Sequence, residues 1–223
     1  MPDALAALAG IGVLLALSGC ATPPPPPTAN ESLPATLQSR PDEVLQEVVT
    51  TSHGDENYIC RRTPPSLANL TTPPTRGVAA DGTQLLWAEV GSESMLVDAN
   101  GESIGTVVPA QHFLAYDGSY VIGTPFAETQ VKPGTLTWAR YAAKFDAAPR
   151  PGEGRFANVS SIQRIDTTGG LPLQPECTQE GEHLYVPYTA TYMIYRTKGE
   201  APVASLPSTS AQNTAQVVAL PTH

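Results

Sequence analysis

Arg164 is the side chain whose type and setting best suit it to chemistry. It falls in the run from Asn158 to Thr167, which has the composition of a strand, with Ile162 two residues before it and Asp166 two after. Positions two apart share a strand face, so Arg164 and Asp166 are expected side by side. A guanidinium turned toward a β core needs its five donors met by carboxylates or carbonyls. Two readings are open: a buried hub that sets strand register, which is favoured, or a bidentate clamp for an anionic ligand. His183 could join such a pocket, and Arg164, His183 and Asp166 together would give a hydrolase or lyase its polarised groups. Trp138, with Trp87, Tyr188, Tyr192 and Tyr195, offers aromatic faces. Core packing is the favoured use for them, and stacking on sugar rings is the functional one. The candidate ligand-binding set is therefore Arg164, Asp166, His183 and Trp138.

No catalytic residue is assigned, because no nucleophile elbow, S-x-x-K arrangement or H-E-x-x-H is read from the sequence. His53, His112, His183 and His223 are scattered along the chain. Asp98-Ala99-Asn100-Gly101 resembles the start of a calcium loop, but Glu102 to Val108 offers no closing acid. A hairpin turn suits it better. No metal and no cofactor are expected.

The N-terminus indicates where such a domain would work. An apolar run from Ala4 ends in Leu17-Ser18-Gly19-Cys20, directly before the prolines 23–27. This junction resembles a bacterial lipoprotein signal, cut before the cysteine, whose thiol is then acylated. The run is well short of the ~20 residues a spanning helix needs. Met1-Pro2-Asp3 lacks the basic residues of such a leader, so the expected start lies further upstream. The resemblance implies a signal peptide over 1–19, lipidation of Cys20 and a Pro-rich tether over 20–41. Ala21 rather than Asp after the cysteine implies the outer membrane of a Gram-negative host, facing the periplasm, with cell-surface display or secretion as alternatives. The partner on this reading is the membrane, reached through lipid.

Acylating Cys20 leaves Cys60 and Cys177 as a pair in an oxidising compartment. A disulfide between them is expected. Neither cysteine lies in a C-x-x-C or near a histidine at ligand spacing, which disfavours a reactive or metal-binding pair.

Composition narrows the partners. The formal net charge is −9, which excludes nucleic acid and anionic headgroups as targets of a basic face. Charged residues make up 15%, against about 25% in an average domain, and Gly and Pro are frequent. That mixture suits an exported, loop-rich all-β domain over 42–198, with a disordered tail over 199–223. Short strands are expected at 56–60, 84–90, 94–97, 112–116, 119–123, 135–144, 158–167 and 189–195. Turns fall at Asn100-Gly101 and Asp117-Gly118. Residues 189–195 are apolar on both faces, as in a strand buried between layers. Residues 42–51 fit helix and strand equally. The fold class is all-β, a single sandwich or closed barrel.

Ser161 to Gly170, then Pro172, Cys177 and Val186 to Tyr192, resemble the domain of unknown function 3455 (DUF3455). Upstream, Gly54, Tyr58, Cys60, Trp87, Asp98, Gly101, Ile104-Gly105, Asp117-Gly118-Ser119 and Trp138 fall where that family has similar residues. The resemblance spans roughly 43–196 and implies an exported β domain with no established activity. A histidine common after the Ile-Gly step is replaced here by Val107, and the Pro/Thr-rich loop between Cys60 and Trp87 is longer. The expectation is a lipid-anchored, non-catalytic envelope module that binds a glycan, small ligand or protein partner, or is structural. A periplasmic hydrolase or lyase is the alternative.

Overall fold

The computed structural model describes residues 26–63, 83–148, 150 and 152–199. The expected signal peptide, Cys20, the Pro/Thr-rich loop at 64–82 and the tail from 200 lie outside the described residues. Eight strands succeed one another: β1 (Glu43–Thr63), β2 (Gln84–Val97), β3 (Ser103–Val108), β4 (His112–Ala115), β5 (Tyr120–Thr129), β6 (Trp138–Ala147), β7 (Val159–Gly169) and β8 (His183–Thr197). Each pairs antiparallel with the next, and β8 closes on β1. The result is an up-and-down barrel, which removes the exposed edges an open sheet would present.

Local chemistry accounts for the connections. Asp98 accepts the N–H groups of Asn100 and Glu102 on its carboxylate, and Gly101 takes φ 79° to close the β2–β3 turn. Asp117 caps Ser119 in the same way at the β4–β5 turn. The ambiguous segment 42–51 is strand from Glu43 onward, paired with β8 along most of its length and with β2 from Thr50. β1 bends where its register breaks between Ser52 and Asp55, with His53 at φ 54°. Gly54 is required there, since a Cβ would stand 2.9 Å from the Tyr188 ring.

Inward side chains divide the interior in two. One half is apolar: Val49, Leu96, Val107, Phe113, Val121, Phe156 and Ile194 are all fully buried. Phe113 meets Phe156 and Tyr192 edge-on, with centroids 6.4 and 5.0 Å apart. Toward the end where β1 and β7 finish and β2 and β8 begin, the interior becomes polar.

The tether expected over 20–41 is not free in its later half. Residues 26–41 lie along the outer face of β6–β8, where Leu33 and Leu37 are buried with Ile165, Met193 and Tyr195. Polar groups fasten the same strap. Gln163 donates to the Leu37 carbonyl at 2.7 Å, and Arg140 donates to the Gln38 carbonyl and to Glu43, each at 2.5 Å. The strap is the second layer that the two-sided apolar pattern of β8 requires.

Candidate functional site

The loop 170–182, joining β7 to β8, folds over the polar end of the barrel. It is fastened on three sides. Gly170 (φ 84°) donates to the Pro187 carbonyl at 3.0 Å and accepts the Tyr58 hydroxyl at 2.7 Å. Trp87 of β2 donates its N–H to the Pro175 carbonyl, and Cys177 donates its N–H to the Leu85 carbonyl of the same strand. Cys60 of β1 and Cys177 are joined as a disulfide with Cα atoms 5.8 Å apart. Between this loop and the start of β8 runs a groove of about 610 Å³, lined by Trp87, Leu171, Leu173, Glu176, Leu184 and Tyr185 among others. Leu173 is fully solvent-exposed and Tyr185 is 59% exposed.

Beneath the loop lies a buried polar cluster. Alternation along β1 turns Glu56 and Tyr58 to one face, opposite buried Ser92 and solvent-exposed Glu89 of β2. Ser92 donates to Glu56 Oε2 at 2.5 Å, while Glu56 Oε1 has no hydrogen-bond partner among the described residues. Arg164 enters from β7. It donates from Nε to the Thr137 carbonyl (3.2 Å), reaches Ser92 Oγ (3.5 Å) and lies 5.8 Å from the Tyr141 ring centroid. Burial opposes its charge, but Tyr141, Tyr192, Glu56 and Glu89 outweigh that and hold the guanidinium protonated. Burial also pushes the phenols of Tyr58, Tyr141, Tyr188 and Tyr192 upward, so all four stay neutral. For Glu56, burial and neighbouring Glu89 prevail over Ser92 and Arg164 and lift the carboxyl from 4.5 to about 7.

That shift has a sign. Between pH 4.5 and about 7 the folded state holds a proton on Glu56 that the unfolded chain has released. Stability therefore falls as pH rises through this window, by up to about 3 kcal/mol. Thermal melts from pH 4.5 to 8 should show this decline, and Glu56→Gln should flatten most of it. Glu47, also raised by burial, accounts for a residual slope of the same sign. A decline of equal size in the Gln variant would rule out Glu56 as its source.

The four residues singled out by sequence do not converge. Arg164 is 3% exposed, with its donors turned to Thr137 and Ser92, as a hub would have them. Asp166 does not share its face: it takes φ 51° where β7 slips register, and its carboxylate accepts the N–H and hydroxyl of Thr28 on the strap. A bulge cancels the two-residue rule locally. His183 is exposed and stacks on Tyr185, centroids 6.5 Å apart. On β8 it lies nine residues from Tyr192, the register partner of Arg164, or ~30 Å at strand rise. Trp138 packs half-buried against the Leu33–Leu37 cluster outside the barrel.

One string of nucleophile-elbow spacing does occur, Gly101-Glu102-Ser103-Ile104-Gly105. It opens β3 straight from the hairpin turn, with Ser103 exposed and 3.3 Å from the Tyr116 hydroxyl, not at a strand-to-helix bend. Among the described residues no group of three His, Cys, Asp or Glu could hold a metal ion. Sequence reasoning missed Glu56, Glu89 and Glu176 as site residues. The exposed apolar pair in Leu171-Pro172-Leu173, inside an otherwise polar loop, was the available signal for the groove.

These features define a class: an eight-stranded antiparallel barrel, one mouth of which is roofed by a disulfide-tied loop beside an apolar groove. Within that class, the chain belongs to the family described as protein of unknown function DUF3455, which matches residues 41–196. No match was found among curated proteins or solved structures.

Proposed function

We propose that this protein is a lipid-anchored module of the bacterial cell envelope that binds a small, largely apolar ligand at the barrel mouth. The observation that supports binding is the groove of about 610 Å³, walled by a loop that a disulfide and backbone bonds to β1, β2 and β8 keep in place. Its size falls within the ~300–1,000 Å³ of small-molecule sites. A fully exposed Leu173 beside exposed Tyr185 costs solvation unless something covers it. The anchor rests on Leu17-Ser18-Gly19-Cys20 and the prolines behind it, and the outer membrane, periplasmic side, is the proposed location. A disulfide-bonded domain suits that oxidising compartment. A hydrolase or lyase built on Arg164, His183 and Asp166 has no comparable support, since the three are dispersed.

Thermal-shift screening of the mature chain from Ala21 against apolar small molecules, short glycans and small anions tests this reading. A ligand at 100 times its Kd adds about 2.7 kcal/mol, a rise of roughly 5–10 °C at this size. Leu173→Asp should abolish that rise while leaving the ligand-free melt unchanged, because Leu173 is wholly exposed. A ligand whose shift survives this substitution binds elsewhere, and the groove would not be its site.

A further inference from the structure

The groove has a charge character as well as a shape. Of the described side chains that line it, Glu176 alone carries a formal charge. Glu176 is half-buried, and its backbone is held in a bridge to Leu86, next to Trp87. Among the described residues its carboxylate has no hydrogen bond or ion pair. Arg62, on the neighbouring stretch of β1, is engaged by Glu180 at 3.4 Å and by Thr83 at 3.2 Å. Two aromatic side chains, Trp87 and Tyr185, line the same groove. A carboxylate with aromatic faces around it is the chemistry that recognises an ammonium group, through Coulomb attraction and cation–π contact. The net charge of −9 adds a field that draws cations toward the protein.

We infer that the ligand of this groove is a cationic amphiphile, an ammonium head seated by Glu176, Trp87 and Tyr185 with its apolar body along Leu171, Leu173 and Leu184. The inference rests on the proposed binding role of the groove and adds the ligand's chemical class. It disfavours fatty acids and other apolar anions, which would bring a second carboxylate beside Glu176, the one charged side chain among the described residues lining the groove. A quaternary head is accommodated as well as a primary one, because aromatic faces need no hydrogen-bond donor.

Three probes of equal chain length separate the possibilities: hexyltrimethylammonium, 1-hexanol and hexanoate, titrated calorimetrically into the mature chain from Ala21. The ammonium should bind about tenfold tighter than the alcohol, a difference of about 1.4 kcal/mol, and hexanoate should bind weakest. Glu176→Gln should bring the ammonium down to the alcohol's affinity and leave the alcohol unchanged. Equal binding of ammonium and alcohol to the unmodified protein would overturn the charge preference while leaving the groove as a binding site. So would an ammonium preference that survives Glu176→Gln. No binding of any probe would overturn the groove reading and the inference together.

Discussion

Replacing Arg164 by Ala lowers the melting temperature by about 10 °C or more, the expected result of opening a buried ionic hub. The side chain is 3% exposed and joins β7 to Thr137 ahead of β6, to Ser92 of β2 and to the Tyr141 ring. Removing one partner from such a cluster costs about 3–5 kcal/mol, because the remaining polar groups stay buried without their counter-charge. For a domain of this size each kcal/mol moves the midpoint by ~2–4 °C. Glu56 is the group most exposed to the loss, since Arg164 lowers its carboxyl pKa and Oε1 already lacks a partner among the described residues. Lys at 164 should recover part of the loss, restoring charge but not the planar fork. Combining Arg164→Met with Glu56→Gln should cost less than the two single changes added together, because each single change strands the other group. A clamp for an exogenous anion predicts the opposite: a nearly unchanged melt and lost binding. Melting temperatures within 2 °C of each other for the Ala variant and the parent would refute the hub.

The second large effect is expected at the disulfide. Cys60 and Cys177 are 117 residues apart, so the bridge removes much of the unfolded chain's freedom. The chain-entropy model puts that at about 4–5 kcal/mol, or ~10–15 °C in the midpoint. The effect should also be local. Cys177 lies beside Glu176 and Pro175 on the loop that walls the groove, with Cys60 holding it to β1. The Cys60→Ser/Cys177→Ser protein should therefore lose ligand-induced stabilisation at temperatures where its barrel is still folded. Circular dichroism gives the first quantity and calorimetric titration the second. A double variant that melts within a few degrees of the parent would show that the backbone bonds of the loop suffice without the bridge.

Legibility of the fold depended on the range of the forces involved. The strands at 112–116, 119–123 and 158–167 were readable, since alternation and Asn-Gly or Asp-Gly turns act between near neighbours, whereas the expected pair 84–90 and 94–97 is one continuous strand, β2. β3 was not: its six residues come directly after the turn and Gly105 interrupts the apolar pattern. The N-terminal strap was hidden for a related reason. Leu33 and Leu37 are two apolar residues in a Pro/Ser/Thr context, and only the waiting outer face of β7 and β8 makes them core. The pairing of Arg164 with Asp166 failed because a single left-handed residue in a bulge reverses the face on which the next side chains emerge. Glu56 and Glu176 carried no local mark at all; their roles come from neighbours 36 to 108 residues away, Ser92 and Arg164 for the first and Leu86 for the second.

By itself the sequence determined an all-β domain and its acidic character, because these arise from composition, short-range periodicity and turn chemistry; its family came from the resemblance of particular residues over roughly 43–196. It also marked Arg164 as a residue needing partners, since a guanidinium inside a β core cannot be left unmet. Only the tertiary structure decided between sandwich and barrel, because closure depends on β1 meeting β8 across more than a hundred residues. Only the tertiary structure, too, brought Trp87, Glu176 and Tyr185 to one groove. A pocket is a property of side chains that converge from distant strands, and nothing in local spacing records that convergence.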